Sequence, residues 1–277
     1  MNKKIFISGG AQRIGKALVY HFHEKGWDIV FQYRSSTKQS KDIQEELNAN
    51  RKNSCEIIQC DFDNELSCKD FYKNLPGLID NLHALINNAS TFYPRPLSES
   101  TYDDWIKLTS SNLKQPIFIT KKCGPELIKN KGNIVNISDI HAEQGLEDYS
   151  VYTAAKAGLI NFTKSIAKEY SPKVLVNSVS PGAILWDVNE PSDEKKNNIL
   201  KSIPLKRIGN EKDIVSIIDL VEKINPPAEK LDYGIVYAAL QLAIENNRLA
   251  QKTKNESSDV EETVDEISEK LNIFLNQ

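Results

Sequence analysis

Long apolar runs are missing from this 277-residue chain. Nothing approaches the roughly eighteen consecutive apolar residues that a bilayer span needs, and the opening MNKKIFISGG enters a strand pattern without a signal-peptide core or cleavage site. A charge of one sign is missing too: 35 basic and 38 acidic residues are mixed along the chain, and a net charge of -3 offers no block suited to nucleic acid or an anionic membrane. Cysteine is scarce. Cys55, Cys60, Cys68 and Cys123 form no CxxC pair and do not cluster with histidine, which argues against a zinc site and a secreted disulfide framework. The expectation is a cytoplasmic protein with no metal, no nucleic-acid partner and no membrane association.

What is present is an alternation. The runs KIFISGG, WDIVFQY, CEIIQCD and ALINNAS are short and apolar, and the first three are separated by helix-like stretches such as AQRIGKALVYHFHEKG and SSTKQSKDIQEELNANR. Strands alternating with helices of that length imply right-handed crossovers and a parallel sheet buried on both faces. Further strands are expected at 132–138 and 174–182, making six, with a loop and helix around 184–203 and another helix over 210–224. The fold class is therefore α/β, a doubly wound parallel sheet of Rossmann-like form. After Asn225-Pro226-Pro227 the alternation stops, which divides the chain into a domain over 1–225 and a helical extension over 226–277. In the extension Val260, Val264, Ile267, Leu271 and Phe274 step by 4, 3, 4 and 3 behind a capping box from Ser258 to Glu261. Two readings stay open: an amphipathic helix packed on its own domain, or a short seam that joins two chains.

The first strand runs into Ser8-Gly9-Gly10-Ala11-Gln12-Arg13-Ile14-Gly15, which places glycines where a backbone would come close to a pyrophosphate at a helix N-terminus. Such turns also occur in α/β folds that hold no dinucleotide. The second strand ends in Tyr33-Arg34-Ser35 and lacks the acid that usually takes the ribose 2′-hydroxyl of NAD. Arg34, with Arg13 as a second cation, suits a 2′-phosphate instead, so the pair favours NADPH. Further along, Tyr152 and Lys156 stand at i and i+4 of a helix-like segment, where the lysine charge is expected to lower the phenol pKa.

The glycine turn, Asn87-Asn88-Ala89, Asn112, a strand end bearing Ser138 and Asp139, YxxxK and Ser180-Pro181-Gly182 occur in the order and spacing of the short-chain dehydrogenase/reductases. Over about residues 3–224 the chain resembles that family. The resemblance implies cofactor contacts from Gly9, Arg13, Ile14 and Gly15, and from Tyr33, Arg34, Ser35 and Asp61. It implies more from Asn88, Ala89, Ser90 and Ser138, and from Lys156, Pro181, Gly182 and Ile184. Tyr152 would pass a proton, Lys156 would bind the nicotinamide ribose, and Asn112 would support a water relay.

Three departures narrow the likeness. Asp139 stands 13 residues before Tyr152, where the family usually has serine; Arg13 takes the middle glycine position of the turn; and Asn88 to Leu97 reads NASTFYPRPL. These features look like the pteridine reductases of the dihydromonapterin reductase type. That likeness implies NADPH-dependent reduction of a dihydropterin, with dihydrofolate as a further substrate. Arg13, Phe92, Asp139, Tyr152 and Trp186 would contact it, and Phe92 would stack on the flat ring. A carbonyl reductase of the same superfamily is the alternative, and an assembly protein acting through its C-terminal helices is another. The usual last strand has no counterpart here, and the terminal helices resemble cell-division accessory proteins of the ZapA type. A homo-oligomer, formed through those helices, is the expected assembly.

Overall fold

The computed structural model describes residues 2–184, 192–203 and 206–223. Strand β1 (Lys4–Ser8) leads into α1 (Arg13–Glu24), β2 (Asp28–Tyr33), α2 (Thr37–Asn50), β3 (Cys55–Gln59), α3 (Glu65–Asn74) and β4 (Leu82–Asn87). Then come α4 (Tyr102–Thr109), α5 (Gln115–Asn130), β5 (Asn133–Ile137), the short α6 (His141–Gln144), α7 (Ser150–Tyr170) and β6 (Leu175–Val179). Helices α8 (Asp193–Ser202) and α9 (Glu211–Lys223) follow. The six strands form one sheet in the order β3-β2-β1-β4-β5-β6, and every pairing is parallel.

The apolar runs explain the centre of this sheet. Ile5, Phe6 and Ile7 of β1, Ala84, Leu85 and Ile86 of β4, and Ile134 and Val135 of β5 are wholly buried, as expected of parallel strands covered on both faces. Strand order reverses between β1 and β4, and in open α/β sheets such a switch point is where the carboxyl ends of the strands leave a crevice.

By contacts the chain divides into two units, one of Met1–Gly182 with Glu211–Val215 and the other of Ala183–Asn210 with the chain from Ser216 onward. In the second, Ile184 pairs with Gly209 in a parallel bridge. Among the described residues there is no seventh strand, and no helix there is long and apolar enough to cross a membrane. Trp186, the extension over 226–277 with its heptads, and the ZapA-type likeness lie outside the described residues.

Candidate active site

The turn after β1 is tied to two neighbouring strands. Gln32, buried inside β2, accepts a hydrogen bond from the Gly9 amide at 2.9 Å and donates one to the Cys60 carbonyl at 2.7 Å. Ser8 Oγ accepts from the amides of Asn88 and Ala89, each at 3.0 Å. Asn88 in turn donates through Nδ2 to the carbonyls of Ser8 and Gly9 at 3.0 and 3.1 Å. Two glycines are demanded by the geometry: Gly9 has φ +69°, and a Cβ on Gly15 would lie 2.0 Å from the Gly9 carbonyl oxygen. The first turn of α1 therefore sits directly against the loop. The Gln12 side chain does not cap that helix, and an anion at the switch point would meet its positive end. The close approach at Gly9 and Gly15 leaves a cradle that would suit a dinucleotide pyrophosphate. Arg13, exposed at the start of α1, adopts φ 49°, a left-handed conformation in which glycine is at ease and arginine is strained.

The neighbouring charges are arranged differently from the expectation. Arg34 is exposed beside Ser35, but its guanidinium lies 3.9 Å from Asp61 and 3.5 Å from Asp63. Burial raises the Asp63 pKa, and the Asp61 carboxylate beside it adds to the effect. A 2′-phosphate held by Arg34 would share it with two acids. Tyr33 is buried and accepts through its carbonyl from the Cys60 amide.

The second half of the site gathers on α7. Tyr152 Oη donates to Asp139 Oδ2 at 2.8 Å, so the acid expected from the sequence and the tyrosine do meet. The other oxygen, Oδ1, accepts from the backbone amide of His141 and from its Nδ1, both at 2.8 Å. A carboxylate only accepts, which places the His141 ring proton on Nδ1. The tyrosine pKa moves opposite to the sequence expectation. Burial and the Asp139 carboxylate push it up, with Ser90 easing the rise, because the acid touches the hydroxyl while Lys156 Nζ stands 5.8 Å from the ring centroid. Tyr152 is thus held as a protonated acid. Lys156 is buried, donates to the Ile137 carbonyl at 2.8 Å, and is pulled down to about 8 by desolvation, against which Asp139 acts.

Asn112 is engaged elsewhere. It lies in a π-helical turn, Ser110–Lys114, between α4 and α5. Its Nδ2 donates to the Thr91 and Leu108 carbonyls at 2.7 and 2.8 Å, while Oδ1 accepts from Ser90 Oγ at 2.8 Å. These bonds use both amide hydrogens, so the side chain braces the 90–91 loop. Ser138 likewise serves the scaffold, donating to the Lys156 carbonyl at 3.2 Å. Pro181 accepts from the Ile140 amide at 3.1 Å, and Gly182 lies beside the Ile140 side chain.

Phe92 is about half exposed, at 49%. One face stacks on Tyr149, centroids 4.5 Å apart and planes at 17°, and Tyr152 meets it edge-on at 4.8 Å. The expected stacking of a flat ligand on Phe92 is thereby confined to its other face. Four residues here escaped the sequence reading: Ser8, Gln32, His141 and Tyr149. Only the glycine turn beside Ser8 and the YxxxK frame beside Tyr149 could have pointed to any of them.

A glycine turn at the switch point of a parallel sheet, with a Tyr-Lys helix packed on β5 and β6, defines an oxidoreductase architecture of the dinucleotide-binding type. The chain belongs to the short-chain dehydrogenase family, whose profile matches residues 3–197, and it is an oxidoreductase of that family. It is 29% identical over 221 residues to the 3-oxoacyl-(acyl-carrier-protein) reductase FabG of Staphylococcus epidermidis, covering 79% of this chain and 90% of that one. An uncharacterized oxidoreductase of Escherichia coli, YohF, is 29% identical over 222 residues, 79% of this chain and 87% of its own length. Among solved structures, a double mutant of a Serratia marcescens short-chain dehydrogenase/reductase superposes with a TM-score of 0.72 at 21% identity, covering 79% of this chain and 90% of that chain. That likeness supports the fold.

Proposed function

We propose that the protein reduces a ring C=N bond of a dihydropterin, with NADPH as the cofactor. One observation carries the reading: the position 13 residues before Tyr152 holds Asp139, and its carboxylate accepts the tyrosine hydroxyl at 2.8 Å. A carboxylate can hold the amino and N–H edge of a pterin, which a serine hydroxyl does less well. When bound, the nicotinamide cofactor supplies the hydride. The turn at Gly9 and Gly15, with Arg13 and Arg34, would hold its phosphates, and Lys156 its ribose. Tyr152, kept protonated by burial and by Asp139, would give its proton to the ring nitrogen next to the carbon that is reduced. The free face of Phe92 would receive the flat ring.

A second reading is reduction of a carbonyl, favoured by the relatives that carry the name 3-oxoacyl-(acyl-carrier-protein) reductase at 29% identity. Cofactor and tyrosine chemistry are the same in both. NADPH oxidation measured with dihydromonapterin, dihydrobiopterin, dihydrofolate and an acetoacetyl thioester separates them. Turnover of a dihydropterin is expected, with Tyr152→Phe slower by roughly 10²–10⁴-fold. Asp139→Ser is expected to lose the pterin activity more than any carbonyl activity. Thioester turnover without pterin turnover would replace the first reading by the second.

A further inference from the structure

The pairing of Asp139 with His141 carries a role beyond the tyrosine, lysine and acid already described. We propose that His141 is a positioning residue for Asp139: its amide and Nδ1–H saturate Oδ1, which turns Oδ2 to the Tyr152 hydroxyl and fixes the direction of that O–H. The inference rests on the reading of Tyr152 as proton donor and of Asp139 as its partner.

The geometry is specific. Three donors converge on one carboxylate at 2.8 Å each, two from His141 on Oδ1 and one from Tyr152 on Oδ2. His141 is the first residue of the four-residue α6, and that turn closes through the Gly145 amide on the His141 carbonyl at 2.8 Å. The Ile140 amide bonds the Pro181 carbonyl at 3.1 Å, so the segment carrying both Asp139 and His141 is pinned on each side. A carboxylate on a single χ1–χ2 hinge can present either oxygen; two donors on the same oxygen remove that freedom. The charged or titratable groups of α7 bearing on Asp139 are Tyr152 and Lys156, of which the lysine is bonded to Ile137. His141 keeps about a third of its side chain exposed, 33%, so the ring is open to spectroscopy and to substitution without a large cavity.

Two measurements test this. The neutral-form tautomer of His141, read from ring 15N shifts on the protein without substrate, is expected to be Nδ1–H in the wild type and to shift toward Nε2–H in Asp139→Ala. In steady-state kinetics His141→Ala is expected to lower kcat by about 10- to 100-fold, the scale of a small misplacement of a reacting group, and to leave the KM for NADPH within about twofold. His141→Asn puts an N–H donor where Nδ1 stands and is expected to recover most of the loss. An Nε2–H ring in the wild type, a kcat unchanged in His141→Ala, or an asparagine variant as slow as the alanine variant would each overturn the inference. The tautomer needs no turnover, so a protein inactive on dihydropterins would defeat the function proposed above while the ring shifts still decided this point.

Discussion

Arg13 and Lys156 are both held in states that cost stability, and each cost can be read separately from function. Arg13 stands at φ 49°, where an L side chain is disfavoured by roughly 1–2 kcal/mol. Arg13→Gly is therefore expected to unfold in urea at the same or a higher concentration, by up to about 1 kcal/mol. The same variant should bind NADPH at least about tenfold more weakly, since a charge-assisted contact is worth about 1.5–3 kcal/mol. Undiminished affinity in that variant would remove Arg13 from the cofactor site. Lys156 is a base whose folded pKa, about 8, lies below its reference value of 10.5. The fold then binds fewer protons than the unfolded chain between those values, so this residue's contribution to stability rises with pH across the window, by about 3 kcal/mol. Below about 8 the whole cost is present. Lys156→Met should be inactive yet more stable than the wild type near pH 7, with the gap narrowing as pH approaches 10.5. A gap independent of pH in urea titrations would show that the lysine is not desolvated in this way.

At the scale of elements, the strands were legible because burial on both faces leaves a signature that neighbours cannot disguise. KIFIS and LHALIN are apolar where the sheet covers them. The spacing of Tyr152 from Lys156 and from Asp139 was equally plain, since one helix face and one strand end fix those positions. Gln32 was not legible: its side chain serves the Gly9 amide and the Cys60 carbonyl, groups brought together only by the pairing of β2 with its neighbours. His141 was not legible either, because only the turn into α6 folds it back onto Asp139. Asn112 shows the converse, a residue singled out by pattern whose side chain is committed by the π turn to three neighbouring groups. The direction of the Tyr152 shift failed for a related reason. Helical spacing gives the distance to the lysine, whereas the nearer carboxylate comes from another element.

Over the whole molecule, the proposed cofactor crevice draws on the ends of β1, β2, β3 and β4, so a ligand seated there would couple segments from Ser8 to Ser90. Binding to the folded state alone stabilises it by about 2.7 kcal/mol at a hundredfold excess over Kd, and the thermal midpoint then reports cofactor preference directly. Arg34 lies between Asp61 and Asp63 at 3.9 and 3.5 Å, which sets two opposing contributions on the 2′-phosphate: the guanidinium attracts it and the two acids repel it. With Arg13 as a second cation, attraction is expected to win. NADPH should therefore raise the midpoint more than NADH at equal concentration, Arg34→Ala should narrow the difference, and Asp63→Asn should widen it by removing one repelling charge. Equal shifts from the two cofactors in the wild type would mean that the acids cancel the arginines. An Asp63→Asn variant that then favoured NADPH would locate the cancellation at that carboxylate.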